Sequence, residues 1–472
     1  SYMGATESYL ATGFDGGYSY TRDCTLLSAL GSLSYDYAAK YYITGTFRRD
    51  GSSRLAPKTR WGNFWSVSGS WRFSNEDFIK ADWLNDAKIR GSYGVNGNDA
   101  IGDFTYAAYM NGGNTYHFGV QGSTESLAQG AKPSILANPG VHWEESHQAD
   151  LGIDLGFLGN KITTTVDFYN KTTKDMLLNL PVPAYSGESA PKGNLGTMSN
   201  AGIELEVTYR DNFGDFNYFV NTNITYIRTR LTYLGLESSY IGGGSGKIGD
   251  YARAEVGYPV PYFYGYKSLG VFQNQDEINN YTWTNAETGE VKVIQPNAVP
   301  GDLKMLDKNN DGSITSDDRT YLGKGLPDYT FGITVGFDWK GFDFSMLLQG
   351  QFGNVYNANV YRRTDLPYTN LNKTVLRRWT GEGSTNVYPR FTTSDGLNLY
   401  FSNAWMEDAS FVRARNLQLG YTIPQNWTKL AGISRARFYF QAENLFTLTG
   451  YSGMDPEVGG FDTMKYPVAR TF

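Results

Sequence analysis

The stretch YTFGITVGFDWKGFDFSMLLQGQ, from Tyr329 to Gln351, decides the fold. Its odd positions up to the turn, Tyr329, Phe331, Ile333, Val335, Phe337 and Trp339, are all apolar. The even positions, Thr330, Gly332, Thr334, Gly336 and Asp338, are small or polar. Alternation with period 2 makes a β-strand with one apolar and one wet face, because successive side chains point to opposite sides. Lys340-Gly341 forms a tight turn, and Phe342, Phe344, Met346 and Leu348 then alternate with Asp343, Ser345 and Gln349. The return strand breaks the pattern once, at Leu347.

Two settings produce such a hairpin. A soluble β-sandwich turns the apolar face into a core. An outer-membrane barrel turns it into lipid and turns the polar face into a wet lumen. Residues 329–339, at ~3.3 Å each and tilted by ~45°, span roughly the ~25 Å apolar band of such a barrel. Tyr329 and Phe331 at one end of the row, and Phe337 and Trp339 at the other, have the placement of interfacial girdles. On this reading Tyr329, Phe331, Val335, Phe337 and Trp339 face lipid, and Thr330, Thr334 and Asp338 face the lumen.

The rest of the chain repeats the pattern. Amphipathic strands are predicted over Leu26–Tyr37, Lys40–Arg49, Trp65–Phe73, Ala87–Asn96, Trp143–Phe157, Lys161–Thr172, Ala201–Asp211, Phe216–Arg228, Phe411–Ile423 and Arg435–Leu445. A short helix is predicted near Asn75–Ile79, capped by Ser74 or Asn75. YPVARTF, Tyr466–Phe472, reads as the start of a further strand. Every second connection is short and the others are long, which is the up-and-down plan of an outer-membrane barrel and not that of a Greek-key sandwich. The predicted fold class is therefore all-β, a transmembrane antiparallel up-and-down β-barrel with about a dozen strands in this chain.

Composition agrees. The 472 residues hold 55 Gly, 36 Tyr and 15% aromatics, as turn-rich amphipathic strands require. No run of about 18 apolar residues exists, so no transmembrane helix is expected. The net charge of −6, without a basic block, argues against nucleic acid as a partner. Cys24 is the sole cysteine, so no internal disulfide can form.

DKNNDGSITSDD, Asp307–Asp318, has the spacing of a calcium loop. Asp307, Asn309, Asp311 and Asp318 occupy ligand positions, Ser313 offers a backbone carbonyl, and Gly312 permits the sharp turn. The final ligand is Asp, not the Glu of EF-hands, as in dockerin loops. One structural Ca²⁺ outside the membrane is the expected cofactor, and a metal-free acidic loop is the alternative. Enzyme patterns fail. His142 and His147 differ by an odd number and point to opposite strand faces. GGGSGK, Gly242–Lys247, lacks both the first Gly and the Ser/Thr of a P-loop, and is expected to be a flexible loop. Loop aromatics such as Tyr262, Phe263, Tyr264, Tyr266, Tyr281 and Trp283 suit stacking on sugars or peptides, or packing among themselves.

FRRDGSS (Phe47–Ser53), IRGSYGVNGN (Ile89–Asn98), PGDLKMLDKNNDGSITSDDRTYLG (Pro300–Gly323), NLFTLTGYSGMDPEV (Asn444–Val458) and YPVARTF occur in one order along nearly the whole chain. Together they resemble the SusC/RagA family of TonB-dependent outer-membrane transporters. The resemblance implies import of glycan or peptide fragments across the outer membrane of a Gram-negative bacterium. It also implies a SusD-like surface lipoprotein, the TonB complex and a plugged barrel of about 22 strands. No plug or TonB box is visible in residues 1–472. The chain is thus expected to be the C-terminal part of the barrel, with the calcium-loop insertion around 300–323. An N-terminal plug and barrel portion would close onto both of its edges, because unpaired strand edges are not tolerated in lipid. A secreted calcium-stabilised β-sandwich or adhesin that binds carbohydrate is the alternative, and a passive porin a third.

Overall fold

The computed structural model describes residues 24–472 except 80, 104, 109, 119–125, 134, 181, 183–184, 186, 188, 237–239, 246–248, 360–372, 393–395 and 463–467. Twelve long strands follow one another in a single sheet: β1 Leu26–Tyr37, β2 Tyr41–Ser52, β3 Trp61–Trp71, β4 Leu84–Asn98, β5 Glu144–Phe157, β6 Ile162–Asn179, β7 Lys192–Phe213, β8 Phe216–Leu234, β9 Tyr329–Trp339, β10 Phe342–Phe352, β11 Phe411–Thr422 and β12 Arg437–Glu443. A short β13, Thr447–Thr449, pairs with the start of β11 and makes the sheet 13-stranded. The order in the sheet is the order in the chain, which is the up-and-down plan. The YPVARTF segment adds an antiparallel bridge, Thr471 to Glu443, beside β12.

The tight turns have a clear local cause. Ala38 and Ala39 (φ 54° and 51°), Gly159 and Asn160 (72° and 62°) and Lys340 and Gly341 (46° and 92°) take the left-handed backbone that tight hairpin turns need. Two expectations are corrected. The helix near Asn75–Ile79 is only a 3₁₀ turn over Phe73–Asn75, without a side-chain cap. Ser74 donates to Asp86 (3.3 Å) and the Trp71 indole to Glu76 (3.1 Å), so neither group serves a helix N-terminus. Several strands are also longer than predicted. β7 starts at Lys192 and not Ala201, and β6 runs on to Asn179, through segments where the apolar alternation has already ceased.

The chain clusters into two compact units. Among the described residues one comprises 24–69, 92–149 and 171–198, and centres on buried Leu55, Phe64, Val95, Ile101, Val141 and Trp143. The other comprises 70–91, 150–170 and 199–472. Its two buried clusters lie in the long connections: Phe263, Phe401 and Trp405 in one, Tyr266, Val271, Leu303 and Met305 in the other.

Candidate functional site

The site of this chain is a surface, and register builds it. In the larger unit, β8 to β12 align Phe216, Trp339, Phe342, Tyr421 and Phe438 as one row of cross-strand partners. The next row on the same face is Tyr218, Phe337, Phe344, Leu419 and Phe440. Then comes Val220, Val335, Met346, Leu417 and Ala442, and at the far end Tyr226, Tyr329 and Phe352. The rings touch: Phe216–Phe337 and Phe337–Phe344 are both 5.3 Å apart, Tyr329–Phe352 is 4.9 Å and Phe342–Tyr421 is 4.6 Å between centroids. The face is thus aromatic, aliphatic, then aromatic. Ten steps of ~3.3 Å at ~45° tilt put the outer aromatic rows ~23 Å apart, close to the apolar thickness of an outer membrane.

The opposite face is polar. Asn217, Asp338, Asp343 and Gly420 form one row, and Asn223, Gly332, Gln349 and Arg413 another. Arg437 clamps Asp343, and Arg90 reaches Asp154 (3.3 Å) and Asp167 (2.6 Å). Phe219, Leu347, Phe411 and Tyr439 interrupt this face, and Phe219 lies over Gly336, where a Cβ would come within 2.5 Å of its ring.

One device keeps two arginines off the apolar face. Leu417, Leu419 and Tyr421 would by strict alternation place Arg415 and Arg413 beside them. Instead the register shifts opposite Leu347/Leu348, where Leu347 pairs with Asn416 and Leu348 with Ala414, so Arg415 is the extra residue of a β-bulge. One added residue inverts the parity of everything beyond it. Arg413 consequently lies on the polar face, 3% exposed, bonded to Asp455 (2.8 Å), Glu457 (2.5 Å) and Thr447 (2.9 Å). Arg415 reaches Glu457 (3.2 Å) and Asn444 (3.3 Å). The DPE stretch is the counter-charge for this pair. Sequence reading missed the network, although two arginines in phase with an apolar row were the signal for it.

The predicted calcium ligands lie together between the short strands Leu303–Met305 and Thr320–Lys324. Asp307 accepts the N–H groups of Asp311 (3.2 Å) and Gly312 (2.8 Å), and Asp311 that of Ser313 (2.9 Å). Asn309 accepts from Asp311 N–H (3.2 Å) and donates to the Asp311 carboxylate (2.9 Å). Asp318, 1% exposed, accepts from Lys308 (2.8 Å) and Thr315 (2.7 Å) N–H. Lys292 Nζ donates to Ser313 Oγ (2.6 Å). The donors are all oxygen, which suits Ca²⁺ in kind. Among the described residues no group of three His, Cys, Asp or Glu is gathered closely enough to hold a metal. Gly312 is required twice over: its φ is +78°, and a Cβ there would lie 2.8 Å from the Trp283 ring.

The loop aromatics pack inward. Tyr262, Phe263 and Tyr266 are buried, and the Tyr281 hydroxyl donates to Met305 C=O (2.7 Å). Burial, together with the bond to the Glu255 carboxylate, pushes the Tyr262 phenol above its ordinary range. Arg253 stacks on Tyr240 and Tyr264 at 3.8 and 3.4 Å. A cavity of about 410 Å³ in the same connections is lined by Gln295, Asn297, Asp302, Arg390, Asn398 and Tyr400. Its floor is set, since Asp302 accepts from Arg390 (2.7 Å) and Asn398 (2.8 Å). The flexible loop expected at GGGSGK is corrected: Gly242–Ser245 belong to the strand Tyr240–Ser245, which pairs as a hairpin with Gly249–Glu255, and 246–248 lie outside the described residues. His142 and His147 have separate partners, Asp175 at 3.6 Å and Glu145 at 3.1 Å.

Comparison with known proteins accounts for this surface. The family model described as "TonB dependent receptor-like, beta-barrel" matches residues 4–445. The chain is 32% identical to the TonB-dependent receptor P39 of Formosa agariphila, over 94% of its own length and 45% of the relative's. It is 30% identical to the TonB-dependent receptor SusC of Bacteroides thetaiotaomicron, over 96% of its length and 44% of the relative's. The solved RagAB peptide transporter superposes with a TM-score of 0.77 at 26% identity, over 97% of this chain and 47% of that one. The chain thus spans about half the length of the relatives it matches. It belongs to the TonB-dependent receptor β-barrel family, and its strands are outer-membrane strands of the SusC and RagA type.

Proposed function

We propose that this chain is the C-terminal barrel portion of a TonB-dependent importer. It passes glycan or peptide fragments across the outer membrane and works with a SusD-like surface lipoprotein. The observation that carries this reading is the band of rows from β8 to β12, apolar toward lipid and polar on the other face. A polar inner wall serves passage of hydrophilic cargo, not catalysis, and no nucleic-acid role is proposed. Relatives about twice as long support placing the plug and the TonB-contacting segment in an N-terminal portion of the same transporter. The calcium proposal stands beside this one: Asp307, Asn309, Asp311, Ser313 and Asp318 hold one structural Ca²⁺ in the insertion around 300–323. Its support is the all-oxygen donor set and the turn that Gly312 makes. The test is growth of a strain lacking the whole transporter, and of the complemented strain, on defined oligosaccharides and oligopeptides. Loss of growth on one class, restored by complementation, is expected; unchanged growth and uptake on every class overturns the import reading.

A further inference from the structure

The connection between β11 and β12, residues 423–436, reads PQNWTKLAGISRA after Ile423. It folds as a short helix, Gln425–Thr428, continued by a 3₁₀ turn, Lys429–Ala431, and closed by Gly432 at φ 70°. Thr428 is turned inward and buried, with its hydroxyl on Gln425 C=O (3.3 Å). That fixes which face looks outward. Trp427, Leu430 and Ile433, three residues apart, are 68%, 89% and 47% exposed. Spacing of three puts Trp427 and Leu430 on one side of the helical turn, and Ile433 follows just past the Gly432 that ends it. Three large apolar groups displayed together on a compact, hydrogen-bonded turn need a partner.

The position of the turn identifies the partner. It leaves the sheet directly after the aromatic row that contains Tyr421 and Phe438, both of which flank it in sequence. Phe438 itself is 69% exposed on the apolar face. The apolar side chains of the turn therefore continue a lipid-facing band past its aromatic edge. Other connections at the same ends of the strands, within the same unit, share the feature. Phe78 and Trp83 between β3 and β4 are 69% and 59% exposed, Leu158 between β5 and β6 is 57%, and Phe213 before the β7–β8 turn is 85%. A single protein partner would have to reach every one of these turns, whereas one medium reaches them all.

We infer that the Trp427–Ile433 turn is a membrane-interface anchor. Trp427, Leu430 and Ile433 insert into the headgroup–acyl boundary of the leaflet beside the short turns, and exposed Lys429 and Arg435 reach lipid phosphates. Trp and Leu on one side with basic residues at the margin is the pattern of an interfacial helix, and Lys can keep its charge in the headgroups while its stem lies in the apolar layer. The partner class is phospholipid. A periplasmic protein or the N-terminal portion of the transporter would be the competing occupant.

The test is spin labelling of the whole transporter, made cysteine-free and reconstituted in phosphatidylethanolamine–phosphatidylglycerol vesicles. Single cysteines are placed by Trp427→Cys and Leu430→Cys, with Trp339→Cys as the girdle reference and Glu382→Cys as the aqueous reference. Collision with dissolved oxygen and with a water-soluble nickel chelate is measured at each. Labels at 427 and 430 with oxygen-to-nickel ratios matching Trp339→Cys support the anchor. Nickel access equal to Glu382→Cys, which means water, overturns it. Low access to both reagents with an immobilised spectrum, which means a covering protein, overturns it too. Since all of these positions are exposed, the substitutions leave the fold intact, and heat-shifted gel migration verifies this for each variant.

Discussion

The two ends of the strands in the larger unit treat their aromatics in opposite ways. At the long-connection end, Phe272, Phe401 and Trp405 are 0%, 1% and 4% exposed and surround themselves with each other's loops. At the short-turn end, Trp339 and Phe342 at the strand ends and Trp427 in the β11–β12 connection are 46%, 45% and 68% exposed, and no apolar cluster among the described residues covers them. Ordered loops in water must hide their apolar area to remain folded, so the long connections build small cores of their own. Turns beside a membrane have no such need, because the interface itself receives aromatic rings. The contrast follows from the medium at each end, with the same residue types used in both places.

The largest effect is expected at the long-connection end of β11. Arg413→Ala leaves the buried Asp455 carboxylate without its cation, while Glu457 keeps Arg415, and the loss costs about 3–5 kcal/mol. Adding Asp455→Asn should recover part of that loss in urea unfolding. Equal stability of wild type and Arg413→Ala would remove the bulge-and-clamp account. Next comes the membrane band. Val335→Arg, in the central aliphatic row, should cost about 2–4 kcal/mol in lipid, and Thr334→Arg on the polar face distinctly less. Identical losses in a bilayer refolding assay would mean that the two faces see the same medium.

Smaller effects belong to the acidic loop. Gly312→Ala forces a Cβ into left-handed backbone and against Trp283, at a cost of about 1–3 kcal/mol. Faster proteolysis between Trp283 and Arg319, with the strands still resistant, is the expected readout. Smallest of all should be chelation: removing Ca²⁺ with EDTA loosens the Asp307–Asp318 loop, seen as faster amide exchange there, and leaves the amides of β8 to β11 unchanged. Exchange unaffected by both added calcium and EDTA would eliminate the calcium proposal.

Legibility in the sequence followed the same division. Where lipid faces one side, alternation is enforced on the lipid-facing row, so the β9–β10 hairpin and its turn were legible despite Leu347 on the other face. Where strands run on without apolar alternation, as at the start of β7 in KGNLGTMSN, small polar residues resemble a turn and the reading stopped short. The loop cores were illegible for another reason. Phe263 meets Phe401 at 5.7 Å, and Asp302 meets Arg390 and Asn398, across separations that no local pattern encodes. The Arg413 clamp lay between these cases: its partner is 42 residues away, yet its violation of parity is local and readable.

The central claim is that the odd-numbered row of β9 faces lipid and the even-numbered row faces water. Cysteines substituted one at a time from Thr330 to Asp338 in the whole transporter, in native outer membranes, test it most directly through labelling by a membrane-impermeant maleimide. The account predicts reactivity that alternates residue by residue, high at Thr330, Thr334 and Asp338 and low at Phe331, Ile333, Val335 and Phe337. Uniform reactivity along the strand, or alternation with the opposite phase, would contradict it.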